Sequence, residues 1–309
     1  MGWRRGLVVR PGIAYCRAVL VVTGTRRSGT SMWMQVLAAA GLPVIGEAFP
    51  GNWGESLRAA NPHGFYESLL RHGVYWRTNP HPVTGEFILP EQVRRHAVKI
   101  FIPGVIRTDR VYLDRVLVSV RSWREYEASL SRLHALEDAY RARVAPGQAA
   151  PPRMPPALEW WDENFGLIRD LAVRRYACHV QAYDAVLAEP ARVVPRILAW
   201  LGEGGDVAAA IAAVRPEART QRRSQAAGES AHGELPGHVV AVLDDFHAAI
   251  VAGEGLERGL MARMNAVQAE LAPTLAEHRE RAAAAAGSDR EDEAEPDDGP
   301  SAVLRGEWA

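Results

Sequence analysis

Lysine is all but missing from this chain. Among 36 basic residues in 309, Lys99 is the single lysine and every other is arginine. Arginine serves wherever either cation will do, so a solitary lysine reads either as a chance survivor of that bias or as a place where a compact point charge is wanted rather than a planar guanidinium fork. Cysteine is nearly as scarce. Cys16 and Cys178 lie far apart without metal-ligand spacing, which argues against a disulfide framework or a cysteine metal site and predicts a reduced, cytoplasmic setting. Neither charge is in excess: 36 basic against 37 acidic residues leave a formal net charge of -1, with no global pull toward nucleic acid or an anionic membrane. No stretch approaches the roughly 20 apolar residues of a membrane span. Arg10, Pro11 and Arg17 interrupt the early residues, which read poorly as a signal peptide. Binding partners must therefore be read from local motifs.

What is present is organised around residues 18–37, AVLVVTGTRRSGTSMWMQVL. A β-branched apolar run stops at Gly24, a short loop of glycine, hydroxyl and arginine follows, and a helical pattern begins near Thr30. A strand, a loop of inward-facing amides and a helix N-terminus together form an anion cradle. Residues 24–31, GTRRSGTS, keep the spacing of the P-loop template GxxxxGK[ST] but put Thr30 where the lysine belongs. A triphosphate loses its main counter-charge by that change. The positive charge sits instead in the loop, as Arg26 and Arg27, with Ser28, Thr30 and Ser31 as hydroxyl donors.

The second informative strand is RVLVSV, residues 115–120, a nearly continuous apolar run that suits a parallel strand buried on both faces. P-loop NTPases commonly end such a strand with a magnesium-binding aspartate, whereas here Arg121 follows. A cation there predicts a second phosphate, and Ser129, about two turns into the next helix, is placed to share it. A short strand or extended turn at a sheet edge is expected over 42–49, a short strand over 98–102, a strand over 177–183, and helices over 158–175, 190–201 and 207–214. This alternation argues for a parallel sheet with helices on both faces. Residues 141–156, rich in proline, glycine and alanine, read as a loop. From 235 to 286 the pattern is helical, broken at Gly253 and Gly255, and the acidic stretch 287–309 carries no credible core. The domain plan is thus an extension over 1–17, one α/β domain over 18–286 and an acidic tail.

These residues carry a resemblance to the sulfotransferases that use 3′-phosphoadenosine 5′-phosphosulfate (PAPS). Their phosphate loop is commonly PKSGTT or PRSGTS, and RRSGTS here is similar from Arg27 to Ser31, with Arg26 in place of the usual proline. Their second signature, an arginine at a strand end and a serine eight positions on, is similar to Arg121 and Ser129 in VRSWREYEASL. VKIFIP, YDAVLAEPARVVPRILAWLG and VRPEARTQRR also look like the bacterial members. The resemblance implies a P-loop NTPase-like three-layer sandwich with a central parallel sheet. It implies PAPS as donor, PAP as product, no metal, and a small-molecule or glycan acceptor. By the same resemblance Arg27, Ser28, Gly29, Thr30 and Ser31 bind the 5′ side, and Arg26 joins them from the charge of the loop itself. Arg121 and Ser129 hold the 3′ phosphate. Arg222 and Arg223 read either as a solvated basic face or as cations closing over the 3′ phosphate or the adenine.

Sulfuryl transfer to a hydroxyl or amine needs a group to take the acceptor's proton and fixed cations to meet charge on the sulfuryl oxygens and leaving phosphate. Arg27 and Lys99 are the candidate cations. Glu47 is the first candidate base, in a position similar to the glutamate of tyrosylprotein sulfotransferases. Glu67 and His63, in the NPHGFYE turn of residues 61–67, are the reserves. Two alternatives stand beside this reading: a small-molecule or nucleoside kinase of the same fold, against which Thr30 and Arg121 speak, and a nucleotide-binding protein without catalysis. In the latter, Glu47, Glu67 and His63 would all point away from the loop.

Overall fold

The run Arg115–Val120 forms the longest apolar strand, and the rest of the sheet is arranged on either side of it and its neighbour. In the computed structural model, which describes residues 19–51, 57–147, 150–202, 204–218, 235–253 and 255–288, the chain gives five strands in one sheet. These are β1 (Leu20–Thr23), β2 (Val44–Ile45), β3 (Ala97–Lys99), β4 (Arg115–Val120) and β5 (Ala177–Ala182). All pairings are parallel, in the order β2-β3-β1-β4-β5. The helices are α1 (Thr30–Ala39), α2 (Ile102–Arg107), α3 (Trp123–Val144), α4 (Pro156–Arg174), α5 (Tyr183–Ala188), α6 (Pro190–Leu201), α7 (Val207–Ala212), α8 (Gly237–Ala252) and α9 (Arg258–Ser288). Arg222, Arg223, the N-terminal extension and the acidic run from Asp289 lie outside the described residues.

The pleat sends alternate residues of each strand to opposite faces, and two cores result. Val21, Val98, Val116 and Val118 pack with Tyr126 of α3, Trp160 of α4, Phe246 of α8 and Met264 of α9. Leu20, Val22, Ala97 and Leu117 pack with Trp33 of α1, Leu187 of α5 and Val194 of α6. Each large apolar side chain among them, taken fully from water, contributes about 1.5–3 kcal/mol, so strands apolar on both faces are stable only between two helical layers. The expected α/β three-layer architecture is what forms.

Strand order positions the site. The connection leaving β1 runs through α1 toward β2 at one edge, while the connection leaving β4 runs through α3 and α4 toward β5 at the other. Adjacent strands whose connections diverge leave a crevice beyond their carboxyl ends, and open α/β sheets bind ligands there. The arginine loop after β1 and Arg121 after β4 therefore meet at one crevice.

The short edge strand expected within 42–49 is Val44–Ile45, beside β3; the chain turns away at Gly46, and Glu47 pairs with Glu67 in an isolated antiparallel bridge. One local expectation differs from the structure. Helix α3 runs through Val144, into the stretch read as a loop. Its last turns are held by Arg141 on Asp138, and by Arg153, which reaches back to Asp138 at 2.7 Å and Glu137 at 3.2 Å.

Candidate functional site

The loop after β1 is folded by its own polar groups. The Ser28 amide and hydroxyl both donate to the Thr25 carbonyl, at 3.2 and 2.7 Å, and Ser119 of β4 donates to the Ser28 carbonyl at 2.7 Å. The Ser28 hydroxyl is thus turned into the loop. Two glycines are required by contact. A Cβ on Gly24 (φ 155°) would lie 2.4 Å from the Ser119 carbonyl oxygen, and one on Gly29 (φ 95°) would lie 2.4 Å from the Tyr183 ring. Gly29 immediately precedes α1, so the close approach is made where the helix N-terminus opens.

Between these glycines Arg27 takes a left-handed backbone, φ 68°, which costs a side-chain-bearing residue roughly 1 kcal/mol or more. Three hydrogen bonds hold it there. Its Nε donates to Ser129 Oγ at 3.2 Å, its Nη2 to the Ala60 carbonyl at 2.8 Å, and its own carbonyl accepts from Arg121 Nη1 at 3.3 Å. Burial and the neighbouring Arg121 pull the guanidinium pKa down to about 10, leaving it charged at neutral pH.

Arg121 is itself buried. Its Nε lies 3.2 Å from Glu125 Oε2, its guanidinium carbon is 5.1 Å from the centre of the Tyr183 ring, and its carbonyl accepts from Trp160 Nε1 at 2.9 Å. Arg26 points to the other side of the loop. Its Nη2 is 3.4 Å from Glu159 Oε1, the oxygen that also accepts from the Tyr126 hydroxyl at 2.8 Å.

On the side of β1 away from β4 stands Lys99, on the last position of β3 and 2% exposed. Its ammonium is 2.6 Å from Glu67 Oε1 and 3.3 Å from Ser31 Oγ, and it also donates to the Phe65 carbonyl. Burial lowers the Lys99 pKa, and the Glu67 carboxylate opposes that shift. The second carboxylate oxygen, Glu67 Oε2, is buried without a hydrogen bond, with Arg71 Nε at 3.9 Å.

These groups share one cavity of about 350 Å³, within the range of small-molecule sites. Arg26, Arg27, Gly29, Thr30, Ser31, His63, Glu67, Lys99 and Arg121 all line it. Ser129 stands behind, reaching it through Arg27. Glu47 is exposed and does not line the cavity; its backbone amide and carbonyl pair with those of Glu67 at 2.9 and 3.0 Å. Sequence reading passed over Arg71, Tyr183, Arg215 and Glu125. The first three line the cavity, and Glu125, four residues after Arg121, had the spacing of a helical ion pair as its signal.

No protein-family model and no curated protein matches the chain. Among solved structures it aligns with the sulfotransferase domain of the Synechococcus PCC 7002 olefin synthase, at 15% identity and a TM-score of 0.34, over 82% of this chain and 96% of that one. Superposition of that degree does not define a shared fold; the sheet order and the crevice it creates stand independently of it.

Proposed function

We propose that the protein is a sulfotransferase that takes PAPS as donor and a hydroxyl or amine of a small-molecule or glycan as acceptor. The observation that carries this reading is the joining of two arginine sites in one cavity. Arg27 of the phosphate loop and Arg121 at the end of the adjacent strand are linked through the Arg27 carbonyl, and a buried Lys99–Glu67 pair stands across from them. A donor with a 5′ phosphosulfate and a separate 3′ phosphate needs two such anion sites. The residues fit that need, since Arg27, Arg121 and the residues that open α1 line the same space.

When bound, the donor supplies the sulfuryl group and a phosphate leaving group. The chain supplies the rest. Arg27 and the α1 N-terminus hold the 5′ side, and Arg121 holds the 3′ phosphate, while Ser129 braces Arg27 from behind. Lys99 meets negative charge between phosphate loop and acceptor, touching Ser31 on one side and Glu67 on the other. Glu67 is assigned as the base in preference to His63 and the exposed Glu47. It lines the cavity with Oε1 held by Lys99, and its carboxylate would take the acceptor's proton as the acceptor oxygen attacks sulfur.

Thermal-shift measurements with PAP, PAPS and ATP with magnesium test the donor. Stabilisation by PAP and PAPS that exceeds that by ATP is expected, whereas stabilisation by ATP alone would overturn the assignment in favour of a kinase.

A further inference from the structure

Arg121 is buried, and the residue that fixes it is fully buried as well: Glu125 is 0% exposed. A carboxylate wholly removed from water is costly unless paired, and the Arg121 Nε at 3.2 Å is its ion-pair partner. Position in the first turn of α3 adds the favourable end of the helix dipole, worth up to about 1 kcal/mol in ordinary settings. That is too little to account for complete burial, and it does not explain why the carboxylate faces the guanidinium.

The geometry explains both. Arg121 leaves the strand just before α3 begins, so Glu125 reaches it from the side of the first helical turn. Nε is committed to Glu125 and Nη1 to the Arg27 carbonyl, while the Tyr183 ring covers one face. Two acceptors at different nitrogens and a ring together fix the plane of the fork, whose orientation decides whether it meets a phosphate bidentately. An unrestrained arginine side chain would lose that freedom only on binding, at a cost to affinity.

We propose that Glu125 is a positioning residue that makes the site selective for the 3′ phosphate, by holding Arg121 ready for it before the donor arrives. This rests on the donor reading above. It also runs against simple electrostatics: a carboxylate near an anion site should weaken anion binding, so removing its charge would tighten binding if charge alone mattered. Orientation predicts the reverse sign.

Isothermal titration calorimetry with PAP and with adenosine 5′-monophosphate separates the cases. Wild-type protein is expected to bind PAP more tightly than the monophosphate, and absence of that preference would sink the donor reading itself. In Glu125→Gln, PAP affinity is expected to fall about 10- to 100-fold while that for the monophosphate changes little, so the ratio collapses. A ratio unchanged from wild type, or PAP binding that tightens, overturns the inference while leaving the donor reading intact. Should Glu125→Gln fail to fold, Glu125→Asp keeps the charge on a shorter arm. Its ratio is expected to fall between wild type and parity, and an unchanged ratio there likewise overturns the proposal.

Discussion

Lys99 Nζ lies 2.6 Å from Glu67 Oε1, and both side chains are shut off from solvent. Removing the lysine strands a buried carboxylate, so Lys99→Met is expected to cost about 3–5 kcal/mol of stability. Glu67→Gln leaves an amide oxygen for the ammonium. It is expected to keep the fold while lowering turnover about 10²- to 10⁴-fold. Urea titration and a sulfuryl-transfer assay on the two variants check this. Full turnover in Glu67→Gln would return the base to His63 or Glu47.

Arg27 combines a charged side chain with a left-handed backbone. Loss of the side chain in Arg27→Ala is expected to lower turnover by about 10²- to 10³-fold. Arg27→Gly loses the same charge but relieves the backbone, so it should melt higher than Arg27→Ala, by an amount near 1 kcal/mol. Differential scanning calorimetry of the pair isolates the strain, and identical melting would show that the loop does not store it.

Gly29→Ala puts a methyl into the Tyr183 ring at a residue with φ 95°. Something must move, and the loop is held on its other side by Ser119. The variant is expected to lose donor binding with a thermal penalty of roughly 1–3 kcal/mol. Tyr183→Ala in the same chain should recover only part of that penalty, because the backbone angle stays unfavourable. Thermal denaturation and PAP titration read the two effects.

Behind Arg26 lie two groups whose protonation should shape stability with opposite signs. Burial and the nearby Arg153 lower the His134 pKa to about 4, and its Nε2 is buried without a hydrogen bond. The unfolded chain binds that proton near pH 6.5, so the contribution is complete above that pH and is lost as pH falls toward 4. Glu163, with Oε2 also buried and unbonded, has its pKa raised well above the usual value by burial and by Glu159. Its contribution is complete below about pH 4.5 and declines as pH rises through its raised value. Stability curves should therefore flatten on the acid side in His134→Gln and rise on the alkaline side in Glu163→Gln. Melting temperatures between pH 4 and 9 check both.

Much of this was legible in the chain and some was not, for a physical reason. The stretch GTRRSGTS and the strand RVLVSV ending at Arg121 carry their meaning locally: composition and period fix a strand, and the residues after it must emerge at its carboxyl end. Glu47 and Glu67 could not be ranked that way. They are the same residue type in similar turns and share a two-residue bridge. What separates them is Lys99, remote from both in sequence, and no local pattern encodes that contact. Glu125 was hidden differently: a glutamate in a first helical turn looks like ordinary capping chemistry until its burial is seen.

The meeting of β1 and β4 has a consequence for how the site comes into being. Arg27 and Arg121 are 94 positions apart, and Ser28 and Ser119 are 91 apart, so the arginine-lined end of the cavity exists only once β4 has docked beside β1. Pairings of such separation form late and slowly, because a long loop must close before any contact rewards it. Ligand competence should thus appear together with sheet completion during refolding, not with the collapse of the first strand and helix. A truncated chain ending before residue 115 would carry the arginine loop intact in sequence and yet have nothing to hold it in shape.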